Sequence, residues 1–230
     1  MRILAVVPAR GGSRRLAGKN LRVLAGKPLV AWSIEVAQGM EAVCDILVST
    51  DASAIADVAR TAGALVPWLR PQSLATDEAA SVDVCLHAMD WYENTCGPID
   101  GLLLLQPTSP LRRRATVLRG IEMFRTRGRR PVIGVSPARS HPWWCFRVEG
   151  ETMRPFIADS GLQSRSQDLP PAYAINGAFY LVAPDHLREH RAFFSTDMVP
   201  LIMEATGEDI DIDTDWDWRL AEATLAEQNA

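Results

Sequence analysis

Long apolar runs are missing from this 230-residue chain. The N-terminal run, Ile3 to Val7, is too short for a signal-peptide core or a membrane span, and the expectation is a cytoplasmic protein with no membrane partner. Cysteine is scarce as well. Cys44, Cys85, Cys96 and Cys145 form no CxxC and have no histidine at metal-ligand spacing, so they read as free, mostly packed thiols rather than a zinc or disulfide framework. An excess of positive charge is also absent. A net charge of −4 argues against a dedicated nucleic-acid or anionic-membrane binder, whose affinity comes from neutralising phosphates. Neither GxGxxG nor GxxxxGK[ST] occurs, and His141, His186 and His190 accompany no nucleophile or carboxylate motif.

What is present begins at the N-terminus with PARGGSRRLAGKN, Pro8 to Asn20, directly after the apolar run. Gly11, Gly12 and Gly18 let a backbone turn sharply and present its N–H groups, while Arg10, Arg14, Arg15 and Lys19 put four cations within ten residues. No carboxylate interrupts them. That is the chemistry a polyphosphate needs, although the stretch by itself reads equally well as a solvated basic turn.

Taken in order, the chain alternates short apolar strands with helical segments. A helix with Pro28 in its first turn, a strand over 45–51, a helix over 54–62 closed by Gly63 and a proline-marked loop over 69–77 come first. A helix over about 78–91, the very apolar strand 101–105, a helix over about 115–127 and a strand over 131–136 follow. The alternation predicts one α/β domain over 1–230 with a mainly parallel sheet, whose ligands collect at the carboxyl ends of the strands. Arg10, Asp51 and the rim Gln106 to Arg112 fall at such ends. On the local pattern Thr76 and Ser81 read first as helix caps. Regularity fails over 137–171, a segment too long for an ordinary connection and too aromatic for disorder, which must pack on its own core or on a second subunit. The chain returns through a strand over 174–182 and a helix or loop over 184–190.

Near the C-terminus, Glu208 to Asp215 alternates carboxylates with Ile210 and Ile212. In a strand, Asp209, Asp211 and Asp213 would share one face and the isoleucines the other. Carboxylates so aligned stay ionised together most easily around a divalent cation, which marks Asp211 and Asp213 as metal ligands. Thr214 and Asp217 have capping-box spacing and start the last helix. A cationic loop and a metal-binding acidic segment together describe a nucleotidyl-transfer site.

The pieces PARGGSRRLAGKN, LAGKPLVAWSIE (24–35), VSTD (48–51), RPQSLATDEAAS (70–81), LLLLQPTSPLR (102–112), RSQDLPPAYAINGAFYL (165–181) and IDIDT (210–214) occur in this order. On them the chain resembles the acylneuraminate cytidylyltransferases, or CMP-sialic acid synthetases, along essentially its whole length. The resemblance implies a Rossmann-like nucleotidyltransferase with a dimerisation excursion near 137–171, a homodimer and Mg²⁺ as cofactor. It implies transfer of CMP from CTP to the anomeric 2-hydroxyl of a nine-carbon 2-keto sugar acid, a nonulosonic acid. Catalytic roles would fall to Arg10, Lys19, Asp211 and Asp213. Arg10, Gly11, Gly12, Ser13, Arg14, Lys19 and Asn20 would hold the phosphates and neighbouring groups, and Arg70, Ala79 and Ser81 the cytosine. Gln106, Arg165, Asn176, Tyr180 and Phe193 would line the sugar pocket. Arg14 stands where the family often has lysine, and Trp143 and Trp144 stand where some members have a lysine near the substrate carboxylate. Two rivals remain: a nucleotidyltransferase for a different sugar acid or a sugar 1-phosphate, and a non-catalytic nucleotide-binding relative.

Overall fold

A computed structural model describes residues 1–13, 15–157 and 161–228. β1 (Ile3–Pro8) is buried on both faces, as a central parallel strand must be, and leads into the glycine-arginine loop. A small hairpin follows, β2 (Val23–Leu24) against β3 (Lys27–Pro28). Pro28 therefore ends a strand, with φ −57° and ψ 143°, and stands just outside α1 (Leu29–Glu35) rather than within its first turn. β4 (Val43–Ser49), α2 (Ser53–Thr61) and α3 (Ser81–Cys96) come next. α3 starts at Ser81, not Glu78, because 76–79 close a separate turn and Ala80 is extended. Ala80 caps without a side chain, so neither Thr76 nor Ser81 is consumed as a cap.

The remaining core elements are β5 (Gly101–Leu104), α4 (Arg114–Thr126) and β6 (Val132–Pro137). The irregular stretch contains a hairpin of β7 (Phe146–Glu149) and β8 (Thr152–Pro155). β9 (Tyr173–Val182), α5 (Pro184–His190), β10 (Val199–Ile202) and α6 (Asp215–Gln228) complete the chain. β10, a short edge strand carrying Pro200, has no counterpart in the sequence expectation.

The main sheet has the order β10-β6-β9-β5-β1-β4, with β9 the one antiparallel member. Alternate residues of each strand feed two cores. Ile3, Ala5 and Val7 join Val30, Ile34, Phe124 and Phe179 on one side, and Leu4, Val6 and Leu104 join Cys85, Met89 and Tyr92 on the other. The Asn176-Gly177 step interrupts the β6–β9 register, and Gly177 adopts φ +76°, which its lack of Cβ allows.

A third cluster ties the chain's two ends together. Leu16 and Leu24 from the N-terminal segment pack with Ile210, Ile212, Trp218 and Leu225 from the C-terminal one. Among the described residues 209–214 is not a strand; it is an irregular extended segment whose Ile212 N–H reaches Thr108 O at 2.7 Å. No neighbouring strand pairs with it, yet both isoleucines are buried as the alternation requires, because α6 clamps them inward.

Candidate active site

The sheet topology dictates where a ligand goes. β1 is flanked by β4 on one side and β5 on the other, so the strand order reverses there and leaves a crevice beyond the carboxyl ends. A cleft of about 570 Å³ occupies this place, lined from β1's loop, from β5's rim and from the α3 entry. Of the sequence-derived candidates it brings together Arg10, Ser13, Lys19, Asn20, Arg70, Ala79, Ser81, Gln106 and Asp213.

Each wall has a local cause. Gly11 donates its N–H to Asp51 Oδ1 at 2.8 Å, and a Cβ there would sit 2.9 Å from Ala52 Cβ, so the loop can lie against β4's end only as glycine. Gly12 lies on the exposed part of the same turn. Asn20 donates through Nδ2 to Arg10 O at 2.8 Å and folds the loop back on itself, while its Oδ1, buried, has no partner among the described residues. Lys19 is almost fully buried; its Nζ donates to Ile212 O at 2.7 Å and to Asp213 Oδ1 at 2.9 Å. The cationic loop and the acidic segment are thereby joined directly. Arg70, also buried, donates to Ser49 and to Leu74 O, and burial lowers its pKa, opposed by Asp51. Its hydrogen bonds hold the 70–80 loop to the end of β4.

Two functional groups were not among the candidates. Asp77 faces Arg10 in an ion pair across the cleft, and Arg15 donates to Asp213 Oδ2 at 2.8 Å. Arg15 was visible as part of the cation cluster; Asp77 had no signal beyond a carboxylate in the loop that carries Arg70. Among the described lining residues, four cations face two carboxylates, a surplus suited to an anion. Arg14 lies outside the described residues.

The rim above β5 is held by Arg112, 4% exposed, which donates to Ala178 O and Ser33 Oγ at 2.8 Å and to Gln106 O. Burial pushes its pKa down to about 9 against the opposing pull of Asp211 and Glu208. Gln106 accordingly points its side chain from a fixed backbone.

The remaining candidates lie elsewhere. Asn176 is spent internally: Nδ2 donates to Ser136 Oγ at 3.0 Å and Oδ1 accepts from Ala178 N at 3.0 Å, which stabilises the β9 bulge. Tyr180 and Phe193 are buried against each other, with ring centroids 5.4 Å apart, in the core beneath the sheet's α3 face. Burial raises the Tyr180 pKa, as does the charge of Asp211. Arg165 is exposed on the excursion and pairs with Asp168 at 2.8 Å. None of these four is among the cleft's lining residues.

Among the described residues no group of three or more histidine, cysteine or acidic side chains forms a metal cage. The donor set nevertheless fits Mg²⁺, which prefers hard oxygens, keeps several waters and takes one or two carboxylates together with substrate phosphates. Asp213 lines the cleft and Asp211 is exposed two residues away on the same segment. Asp209, the third acid of the series, is drawn off by Arg139 at 2.9 Å.

Comparison with known proteins agrees with this geometry. Residues 4–129 match the family described as Cytidylyltransferase. The chain is 40% identical over 214 residues to the CMP-N,N′-diacetyllegionaminic acid synthase of Legionella pneumophila, covering 92% of this chain and 90% of that protein. It is 32% identical over 214 residues to the N-acylneuraminate cytidylyltransferase of Escherichia coli O18:K1:H7, covering 91% of this chain but 49% of that longer protein. The solved structure of CMP:2-keto-3-deoxy-manno-octonic acid synthetase complexed with CTP superposes with a TM-score of 0.75 over 99% of this chain and all of that one. At 19% identity, that likeness shows the shared fold.

Proposed function

The chain belongs to the cytidylyltransferase family, and from that premise we propose that it transfers CMP from CTP to the anomeric 2-hydroxyl of a nonulosonic acid, releasing pyrophosphate. The observation that carries this reading is the meeting of the Arg10–Asn20 loop with Asp213 in one cleft at the sheet's switch point.

In this reading Arg10 and Lys19 take phosphate oxygens, with Gly11, Gly12 and Ser13 offering further donors; Arg14 is assigned to the same group by its place in the sequence alone. They stabilise charge that grows as the sugar hydroxyl attacks the α-phosphorus and pyrophosphate leaves, so no protein nucleophile is required. The unpartnered Asn20 Oδ1 is suited to a ribose hydroxyl, because a buried acceptor without a donor is costly. Cytosine is assigned to Arg70, Ala79 and Ser81, and the near side of the sugar to Gln106. Mg²⁺ held by Asp211 and Asp213 would neutralise phosphate charge and favour departure of pyrophosphate.

A homodimer completes the proposal. Val148, Met153 and Phe156 on and beside the β7–β8 hairpin are each more than 60% exposed, an apolar surface suited to a second copy. Arg165 lies on the same excursion and in this reading reaches the partner's cleft; Asn176, Tyr180 and Phe193 shape the sugar end by supporting β9. No helix among the described residues is long and apolar enough to cross a membrane, and a cytoplasmic location, where CTP is available, is part of this proposal.

Pyrophosphate release from each of the four nucleoside triphosphates with a panel of acids tests the reading. N,N′-diacetyllegionaminic acid is the first acid to try, given the 40% identity to its synthase. Release confined to CTP with a nonulosonic acid is expected; release with a sugar 1-phosphate and none with any nonulosonic acid would overturn the proposal.

A further inference from the structure

The cations of the cleft are not waiting free. Asp213 accepts from Lys19 through Oδ1 and from Arg15 through Oδ2, so both of its oxygens are engaged by charged donors. Each oxygen keeps a second lone pair, but two cationic donors so close repel a divalent cation and compete for the carboxylate's charge, which weakens it as a metal ligand. Conversely, a triphosphate arriving at Lys19 and Arg15 must compete with Asp213.

The two donors differ in freedom. Lys19 is buried and additionally anchored on Ile212 O at 2.7 Å, so it stays in place whichever anion it faces. Arg15 is exposed, lines the cleft and donates to Asp213 Oδ2. Arg15 holds Asp213 through one nitrogen only, whereas the several charged oxygens of a triphosphate offer its guanidinium a two-point contact.

Building on the proposed function, we infer that Asp213 and Arg15 form an exchange pair: the triphosphate draws Arg15 off, Asp213 is released toward the divalent cation, and nucleotide and metal thereby promote each other's binding. Arg15 is thus a positioning residue for the metal as well as a contact for the phosphates. Coupling of this kind is reciprocal, so whatever factor the metal adds to CTP affinity, CTP adds to metal affinity.

The exchange predicts a reversal of sign that simple ligation does not. With EDTA present, Asp213→Asn removes the competing anion and should bind CTP more tightly than the native protein, by about fivefold, a modest coupling factor. With Mg²⁺ present the same variant should bind CTP more weakly than the native protein. Asp209→Asn serves as a control of equal charge: Asp209 pairs with Arg139 outside the cleft lining, and its loss should leave the EDTA affinity within a factor of about two, as expected for a screened surface charge. Arg15→Gln should bind CTP more weakly in EDTA and show a smaller gain on adding Mg²⁺.

Isothermal titration of CTP into the three variants and the native protein reads these affinities directly, and melting temperatures establish that each is folded; Asp213→Ser replaces Asp213→Asn should the latter fail to fold. An EDTA affinity for Asp213→Asn no higher than that of the native protein, or matched by Asp209→Asn, overturns the exchange. If the native protein binds CTP with Mg²⁺ but the reversal is missing, the exchange alone falls. If the native protein binds no CTP under either condition, the proposed function falls with it.

Discussion

Arg10 shows how a single side chain separates function from folding. It is partly exposed and paired with Asp77, an arrangement that contributes little to stability because solvent screens it. Removing a positioned donor from a developing phosphate charge is another matter and costs about 10²–10³-fold in rate. Arg10→Ala should therefore lower kcat/KM for CTP by roughly that factor, while the urea midpoint of unfolding hardly moves. Steady-state kinetics beside equilibrium unfolding checks both halves. His87 offers the opposite case, a residue outside the chemistry that sets acid stability. Its ring lies 4.4 Å from Trp68, its Nδ1 has no partner among the described residues, and its pKa is lowered by burial and then by Arg70, with Asp90 opposing. Below its ordinary pKa near 6.5 the unfolded chain takes up a proton that the folded one resists, so stability is lost as pH falls from about 6.5 toward the depressed value. His87→Gln should lose less stability between pH 7.5 and 5.5 than the native protein in urea unfolding; part of the loss stays, because burial lowers the pKa of His186 as well.

At the scale of elements, α6 is what brings acid to base. Asp217 Oδ2 accepts from Thr214 N at 2.8 Å and from Thr214 Oγ1 at 2.7 Å, and Thr214 Oγ1 accepts in turn from Asp217 N, the reciprocal capping that the Thr-x-x-Asp spacing foretold. Asp217 Oδ2 also accepts from Asp213 N at 3.1 Å, so the cap sets the backbone that carries the acidic side chain. Asp217→Ala should cost about 1 kcal/mol of stability, the usual worth of a cap, and should weaken Mg²⁺-dependent CTP binding as well; denaturation and titration on one sample check the pair of effects.

The elements explain what could be read from sequence and what could not. Ile3 to Val7 and Gly101 to Leu105 announced central strands because burial on both faces leaves no polar position in them. The isoleucines of 210–212 announced their inward packing, but not that their neighbours would be irregular, since alternation arises equally in a strand and in an extended segment held by a helix. β10 was hidden because Pro200 and exposed Ile202 in a four-residue edge strand give no period to find. At the site, charge clusters were legible and their pairing was not. Asp77 reaches Arg10 across 67 residues, and Asn176 turns inward because the Gly177 bulge leaves its amide between Ser136 and Ala178.

Exposed apolar side chains such as Trp216 and Val23 are scattered over the molecule, but on the β7–β8 excursion Val148, Met153 and Phe156 occur together. Phe156, 61% exposed, lies under Arg147, with its ring centroid 5.4 Å from the guanidinium, and both side chains are exposed. A homodimer through this face predicts a protein of twice the 25.3 kDa chain mass in sedimentation, and Phe156→Asp should shift it to the monomer without changing its circular dichroism. Activity lost together with the dimer would place the partner's residues at the site; activity retained by a monomer would leave each cleft complete by itself.

The central claim is that one cleft, built from the Arg10–Asn20 loop and the Asp211–Asp213 segment, joins CMP to a nonulosonic acid. ³¹P NMR of the protein incubated with CTP, Mg²⁺ and N,N′-diacetyllegionaminic acid tests it most directly. The expected spectrum gains a single phosphodiester resonance and an equal amount of free pyrophosphate, and Asp213→Asn abolishes both. A spectrum in which CTP stays intact with every nonulosonic acid tried, or in which the phosphodiester forms equally well in Asp213→Asn, would contradict the claim.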